Sequence, residues 1–159
     1  MKIKYYENKP NNIQEKSIFL AGPSPRTKEV KSWRPEAIKI LKELGFNGAV
    51  YVPENGKTTI LKTDEKTYLK IFNWELFHLN KASLICFWVP RQMPDMPAFT
   101  TNVEFGYWIR SGKIRYGRPE TAVKCKFLDC LYKRDCNLEP KTNLKELLKE
   151  CVEVLKVKK

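Results

Sequence analysis

The chain has 159 residues, 42% of them apolar and 12% aromatic, and a formal net charge of +12. That length suits one compact domain, and that apolar content builds a packed core, which excludes a disordered chain. The longest apolar run, Leu84–Pro90, is too short to span a bilayer, and residues 1–7 lack the apolar stretch of a signal peptide. A cytoplasmic protein with no membrane partner is expected.

Residues 1–16 are polar, contain Pro10-Asn11-Asn12, and read as a flexible N-terminal arm before a single domain over 17–159. Ser17–Ala21 is a buried strand ending at the turn Gly22-Pro23. Ser32 can cap a helix with Pro35 in its first turn and Ala37, Ile40, Leu41 and Leu44 at helical spacing, stopped by Gly45. Ala49–Val52 is a second strand, followed by the turn residues Pro53–Gly56. A long helix is predicted from about Asp64 to Asn80, with Tyr68, Ile71, Phe72, Leu76 and Leu79 as its inner stripe. Leu84–Val89 is the most hydrophobic strand and belongs at the centre of a sheet.

A proline-rich loop, Pro90–Thr100, leads into a helix from about Thr101 to Ser111, and Lys113–Tyr116 is a fourth strand. Pro119 is expected to start a helix with Val123, Phe127, Cys130 and Leu131 inward. The last helix follows Thr142, with Leu144, Leu147, Leu148, Cys151 and Leu155 as its stripe. Strands alternating with helices predict an α/β fold: a parallel sheet of four to five strands covered on both faces, a three-layer sandwich. Ligands in such folds bind beyond the carboxyl ends of the strands, which marks the loops Gly22–Arg26, Pro53–Lys57 and Pro90–Thr101.

The five cysteines are odd in number and contain no Cys-x-x-Cys pair, and His78 is the one histidine. Cys86 and Cys151 read as buried thiols, the spacing of Cys125, Cys130 and Cys136 does not suit zinc, and no metal or other cofactor is expected. His78 follows large apolar residues and reads as packed or solvent-facing rather than as a base. The positive charge steers anions toward the protein. Its lysines are scattered, with no block of like charge, so a solvated surface explains them and nucleic acid is not the expected partner.

Two carboxylates stand out. Thr101-Asn102-Val103-Glu104 fits a capping box, in which the glutamate only folds back on its own helix start. The same position would set Glu104 in the positive end of the helix dipole and keep it ionised, as a carboxylate nucleophile requires. Glu75 lies on the apolar stripe beside Ile71 and Phe72, where a carboxylate is costly unless it is paired or faces a cavity. In an unbroken helix it would sit about 16 Å below the helix start, so it should reach a loop-side pocket only if the helix bends or restarts near Asn73. Asp95 is either a turn residue or part of a rigid loop that closes over a flat ligand.

Ile18–Arg26, Ser32–Ala37, Trp74-Glu75, Phe87–Arg91 and Met96–Gly106 with Ser111-Gly112-Lys113 together resemble the nucleoside 2-deoxyribosyltransferase-like proteins over about Ser17 to Leu128. The resemblance implies a flavodoxin-like (Rossmann-type) sheet and a retaining exchange at C1′ of 2-deoxyribose. It implies that Glu104 is the catalytic nucleophile and that Glu75 contacts the nucleoside. It makes Asp95 the candidate for binding the base, although the loop between Asp95 and Glu104 is longer than in well-known members. Phe19, Gly22, Pro23, Arg26, Thr101 and Asn102 fall in the matching motifs as substrate-binding positions. Phe19 stands where many relatives carry a tyrosine that orients the nucleophile, so Asn102 or a backbone N–H would have to replace that hydroxyl. The implied partners are a small nucleoside or nucleotide, a free nucleobase, and further copies of the chain, since pockets of this family borrow residues from a neighbour.

Three activities follow in order: deoxyribosyl transfer through a glycosyl-enzyme; hydrolysis of a nucleotide whose 5′-phosphate is held by Arg26, Arg34 or Lys57; and a non-catalytic nucleotide-binding module.

Overall fold

The computed structural model describes residues 1–6, 16–54 and 64–157. Its strands are β1 (Lys2–Tyr5), β2 (Ser17–Ala21), β3 (Ala49–Val52), β4 (Leu84–Trp88) and β5 (Ile114–Gly117). Its helices are α1 (Arg34–Glu43), α2 (Glu65–Lys81), α3 (Phe99–Trp108), α4 (Lys126–Cys136) and α5 (Leu144–Val157), with a 3-10 turn at Ile109–Ser111. All strands are parallel, in the order β1-β3-β2-β4-β5, with Ser17 opposite Ala49, Ile18 opposite Leu84 and Ile85 opposite Ile114. Apart from β1 this is the flavodoxin-like order.

Strand periodicity sorts the core into two layers. Ile18, Leu20, Val50, Val52, Leu84, Cys86 and Trp88 face α1 and α5, while Phe19, Ala21, Tyr51, Ile85 and Phe87 face the side of Trp74, Phe105 and Tyr132. The predicted stripe of α5 is buried throughout. No helix among the described residues is long and apolar enough to cross a membrane.

Three expectations are corrected. The arm over residues 1–16 contains a strand: Lys2–Tyr5 pairs in parallel with Ala49–Val52 at the sheet edge. Its alternation Lys-Ile-Lys-Tyr is an edge-strand pattern, with Ile3 and Tyr5 packed against the core. Residues 7–15 lie outside the described residues. The helix expected from Pro119 begins only at Lys126 and turns another face inward: Leu128, Asp129 and Tyr132 are buried, while Phe127 and Cys130 are exposed. Asp129 is drawn in because it accepts hydrogen bonds from the Tyr116 hydroxyl at 2.9 Å and from Arg118. Finally, α2 buries Ile71, Trp74, His78 and Leu79, whereas Tyr68, Phe72 and Leu76 from the expected stripe stay exposed.

Candidate active site

From β2 the chain crosses through α1 to β3 on one side, then through α2 to β4 on the other. Strand order therefore reverses between β2 and β4, and a cleft of about 270 Å³ opens at their carboxyl ends. That volume is near the lower edge of the range for small-molecule sites. Phe19, Gly22, Pro23, Ser24 and Arg26 line it from β2 and its loop, Tyr68, Ile71 and Glu75 from α2, and Pro97–Thr101 with Glu104 from α3 and the loop before it.

The floor is held by backbone sterics and one arginine. Gly22 has φ +146°, and a Cβ there would lie 2.1 Å from the carbonyl oxygen of Trp88, so only glycine lets the ends of β2 and β4 approach this closely. Arg34, buried at the start of α1, donates to the carbonyls of Leu20 (3.1 Å) and Gly22 (2.6 Å), to Ser24 Oγ (3.0 Å) and to Glu54 Oε1 (2.5 Å). Ser32 donates to the same Glu54 carboxylate at 2.9 Å. Instead of acting as the cap of α1, Ser32 thus joins the network that locks the Gly22–Ser24 loop, though its hydroxyl also accepts the Arg34 N–H at 3.2 Å.

Glu75 and Glu104 enter the cleft from two different helices. Tyr68, Ile71 and Glu75 are spaced i, i+3, i+7, so they occupy one face of α2, and the helix lies along the cleft wall. No bend near Asn73 is needed: α2 is continuous from Glu65 to Lys81 and runs along the cleft from Tyr68 near its start to Glu75 in its middle. Helix α3 starts at Phe99, with Ala98 in the left-handed region at φ 60° as its cap. Thr101 is consequently not a cap residue, Glu104 is in the second turn, and the capping-box reading falls away. So does the dipole argument for an ionised Glu104. Burial pushes its carboxyl up to about 7, although Arg34 nearby pulls the other way. Burial pushes Glu75 further, to about 8, with the charge of Glu104 adding to the rise.

Of the nine site residues expected from sequence, Glu104, Phe19, Gly22, Pro23, Arg26, Glu75 and Thr101 line this cleft; Asp95 and Asn102 do not. Asp95 sits in the loop outside it, where its carbonyl accepts the Arg26 backbone N–H at 2.8 Å. Asn102 turns its Oδ1 to the guanidinium of Arg91, not to Glu104. Among the described residues no hydrogen-bond donor reaches the Glu104 carboxylate, and the ring of Phe19 forms part of its surroundings. Lys57 lies outside the described residues.

His78 is buried, its Nδ1 is 2.7 Å from the Trp74 carbonyl, and its ring packs against those of Trp74 and Tyr51. Cys86, Cys125 and Cys151 are buried free thiols, and Cys130 is exposed.

Sequence reasoning missed Ser24, the Arg34–Glu54 pair as a structural lock, and two aromatic walls. Tyr68 and Phe99 are 55% and 58% exposed at the cleft. The sequence pattern puts Tyr68 on the core stripe, and Phe99 stands inside the Met96–Gly106 motif without a role of its own.

Comparison with known proteins agrees with this fold. The family model described as nucleoside 2-deoxyribosyltransferase like matches residues 15–121, about two thirds of the chain. A solved 2-deoxyribosyltransferase from the psychrotolerant bacterium Bacillus psychrosaccharolyticus is similar in fold, with a TM-score of 0.51 and 18% identity, covering 72% of this chain and 80% of that one. No curated protein matches. With the family match spanning both the Gly22 turn and Glu104, the chain belongs to the nucleoside 2-deoxyribosyltransferase-like family.

Proposed function

We propose that this protein breaks and remakes the N-glycosidic bond of 2′-deoxyribonucleosides, with Glu104 as nucleophile and Glu75 as proton donor. The observation that carries the reading is the convergence of these two carboxyls in one cleft, both held near neutrality by burial. A small concave site with two acids of shifted pKa is what an acid–nucleophile pair needs.

In the first half-reaction the C1′–N bond breaks and its electron pair leaves with the base, which takes a proton from Glu75. Positive charge grows on the sugar, and the Glu104 carboxylate offsets it and closes a C1′–O ester. In the second half an incoming base attacks C1′, the ester opens, and the proton lost by that base returns to Glu75. Water in place of a base gives hydrolysis. Tyr68 supplies flat apolar surface for the base, the role that the sequence reading gives to the loop around Asp95.

The test is base exchange. Incubation with deoxyinosine and adenine should yield deoxyadenosine, and Glu104→Gln should lower the rate by at least about 10³-fold while ligand still binds. Ligand binding with no exchange or base release from any natural deoxynucleoside would instead favour a non-catalytic module.

Self-association belongs to the same proposal. Leu69, Phe72 and Leu76 of α2 and Phe99, Val103 and Tyr107 of α3 are large apolar side chains, 42–73% exposed, on the two helices that wall the cleft. A second copy of the chain is the proposed occupant of that surface, because it runs to the cleft mouth at Phe99, where family pockets are completed by a neighbour.

A further inference from the structure

The helix that carries Glu104 is held lightly. No side chain caps α3 at Ala98, and of its own residues only Thr101 and Phe105 are buried. Val103 and Tyr107 stand exposed on its outer side. Since no donor reaches the Glu104 carboxylate among the described residues, the placement of α3 itself decides where that oxygen pair stands. Among the described residues α3 makes one side-chain hydrogen bond to another element, from the guanidinium of Arg91 to Asn102 Oδ1.

Arg91 lies three residues beyond β4 and is only 6% exposed. One of its Nη groups donates to Asn102, the other to the Lys124 carbonyl at 2.5 Å, and its own carbonyl accepts the Val123 N–H at 3.3 Å. It thereby ties the loop after β4 to α3 and to the residues just before α4. Lys124 stands in the left-handed region at φ 52°, disfavoured for a residue with a side chain, so this contact is kept against local preference.

Stability does not account for an arginine here. Its Nε is buried without a hydrogen-bond partner, and no carboxylate lies within ion-pair distance among the described residues. Asp129 is taken by Arg118 and Tyr116. The Cys125 thiol feels the Arg91 charge, but burial pushes that thiol up, so it stays protonated and offers no counter-charge. A buried cation left this way is unfavourable, and apolar packing would serve the fold better.

We propose that Arg91 is a positioning residue for the glycosidic reaction, fixing α3 through Asn102 and so placing the Glu104 carboxylate against C1′. This rests on the reading of Glu104 as nucleophile. Two residues of helix separate Asn102 from Glu104, a turn of about 200°, so α3 is gripped on one side and offers its acid on the other. A slip or rotation of the helix passes directly to the carboxylate, and a misplacement of about 1 Å at a reacting group costs about 10²-fold.

The experiment compares base exchange by the wild type, Asn102→Ala, Asn102→Asp, Arg91→Lys and the Asn102→Ala/Arg91→Lys double variant, each well below its own Tm. Asn102 is exposed, so its replacement opens no hole in the core. In Asn102→Ala and Arg91→Lys kcat should fall about tenfold or more with KM within about twofold, and the double variant should lose little beyond either single one. Asn102→Asp keeps an acceptor for the guanidinium and should retain most of kcat. A lowered Tm with unchanged kcat, equal losses in Asn102→Asp and Asn102→Ala, or additive losses in the double variant would each overturn the proposal while leaving the glycosidic reading intact. Hydrogen exchange needs no turnover: the α3 amides should lose protection in Asn102→Ala while those of α5 keep theirs. Without exchange or base release by the wild type the glycosidic reading fails by itself, and the hold on α3 is then decided by those amides. Lost protection upholds it, and unchanged protection overturns it.

Discussion

A carboxylate that attacks an anomeric carbon must be ionised, and one that protonates a leaving base must not be. With Glu104 pushed up to about 7 and Glu75 to about 8, both conditions hold together only in a narrow interval. The expected profile of kcat/KM is a bell with its optimum between about 7 and 8: the acid limb falls as Glu104 takes up a proton, the alkaline limb as Glu75 loses one. The two apparent values belong to the coupled pair. Glu75→Gln should flatten the alkaline limb and lower kcat by about 10²-fold or more. The same shift has a stability consequence. The folded state binds a proton at Glu75 more tightly than the unfolded chain does, so stability falls as pH rises from about 4.5 through about 8. Replacing Glu75 by glutamine should raise Tm by roughly 3 °C or more above pH 8 and have little effect near pH 5, as measured by thermal unfolding across that range.

Elements, not single residues, decide how the site is held. The buried Arg34–Glu54 pair joins α1 to the residues just after β3 and, through the carbonyls of Leu20 and Gly22, to the floor of the cleft. Arg34→Met would leave Glu54 without its cation and two carbonyls without their donor and should cost about 3 kcal/mol or more in denaturant unfolding. The double variant with Glu54→Leu should recover part of that loss. A single-variant cost below about 1 kcal/mol would show that the pair is not the lock described.

The bounds of β2, β3 and β4 were legible in sequence because Ile18–Ala21, Ala49–Val52 and Leu84–Trp88 are dense apolar runs between turn residues. The start of α3 was not, because Thr101-x-x-Glu104 imitates a cap while the helix actually begins after Ala98, a residue with no side-chain signal for a cap. Nor was the inner face of α4, since it depends on Asp129 meeting Tyr116 and Arg118 from β5 and its following loop. Local pattern and resemblance single out Glu75 and Glu104, which the fold brings to one cleft. Ser24 and Arg34 were not assigned their roles, because those are defined by contacts between distant segments.

For the whole molecule, the exposed apolar stripes on α2 and α3 set against a charge of +12 predict a specific self-contact rather than general stickiness. Sedimentation should find at least a dimer, and Leu69→Glu with Val103→Lys should shift it to monomer with the fold intact. A wild-type monomer at all accessible concentrations would remove the interface. The central claim is more local: one side chain carries the sugar between bases. It is tested most directly by quenching the reaction in acid during turnover and mapping the sugar adduct by peptide mass spectrometry. The account predicts a deoxyribosyl group on the peptide containing Glu104, attached to that carboxyl and lost in Glu104→Gln. An adduct on another residue, or full exchange activity in Glu104→Gln, would contradict it.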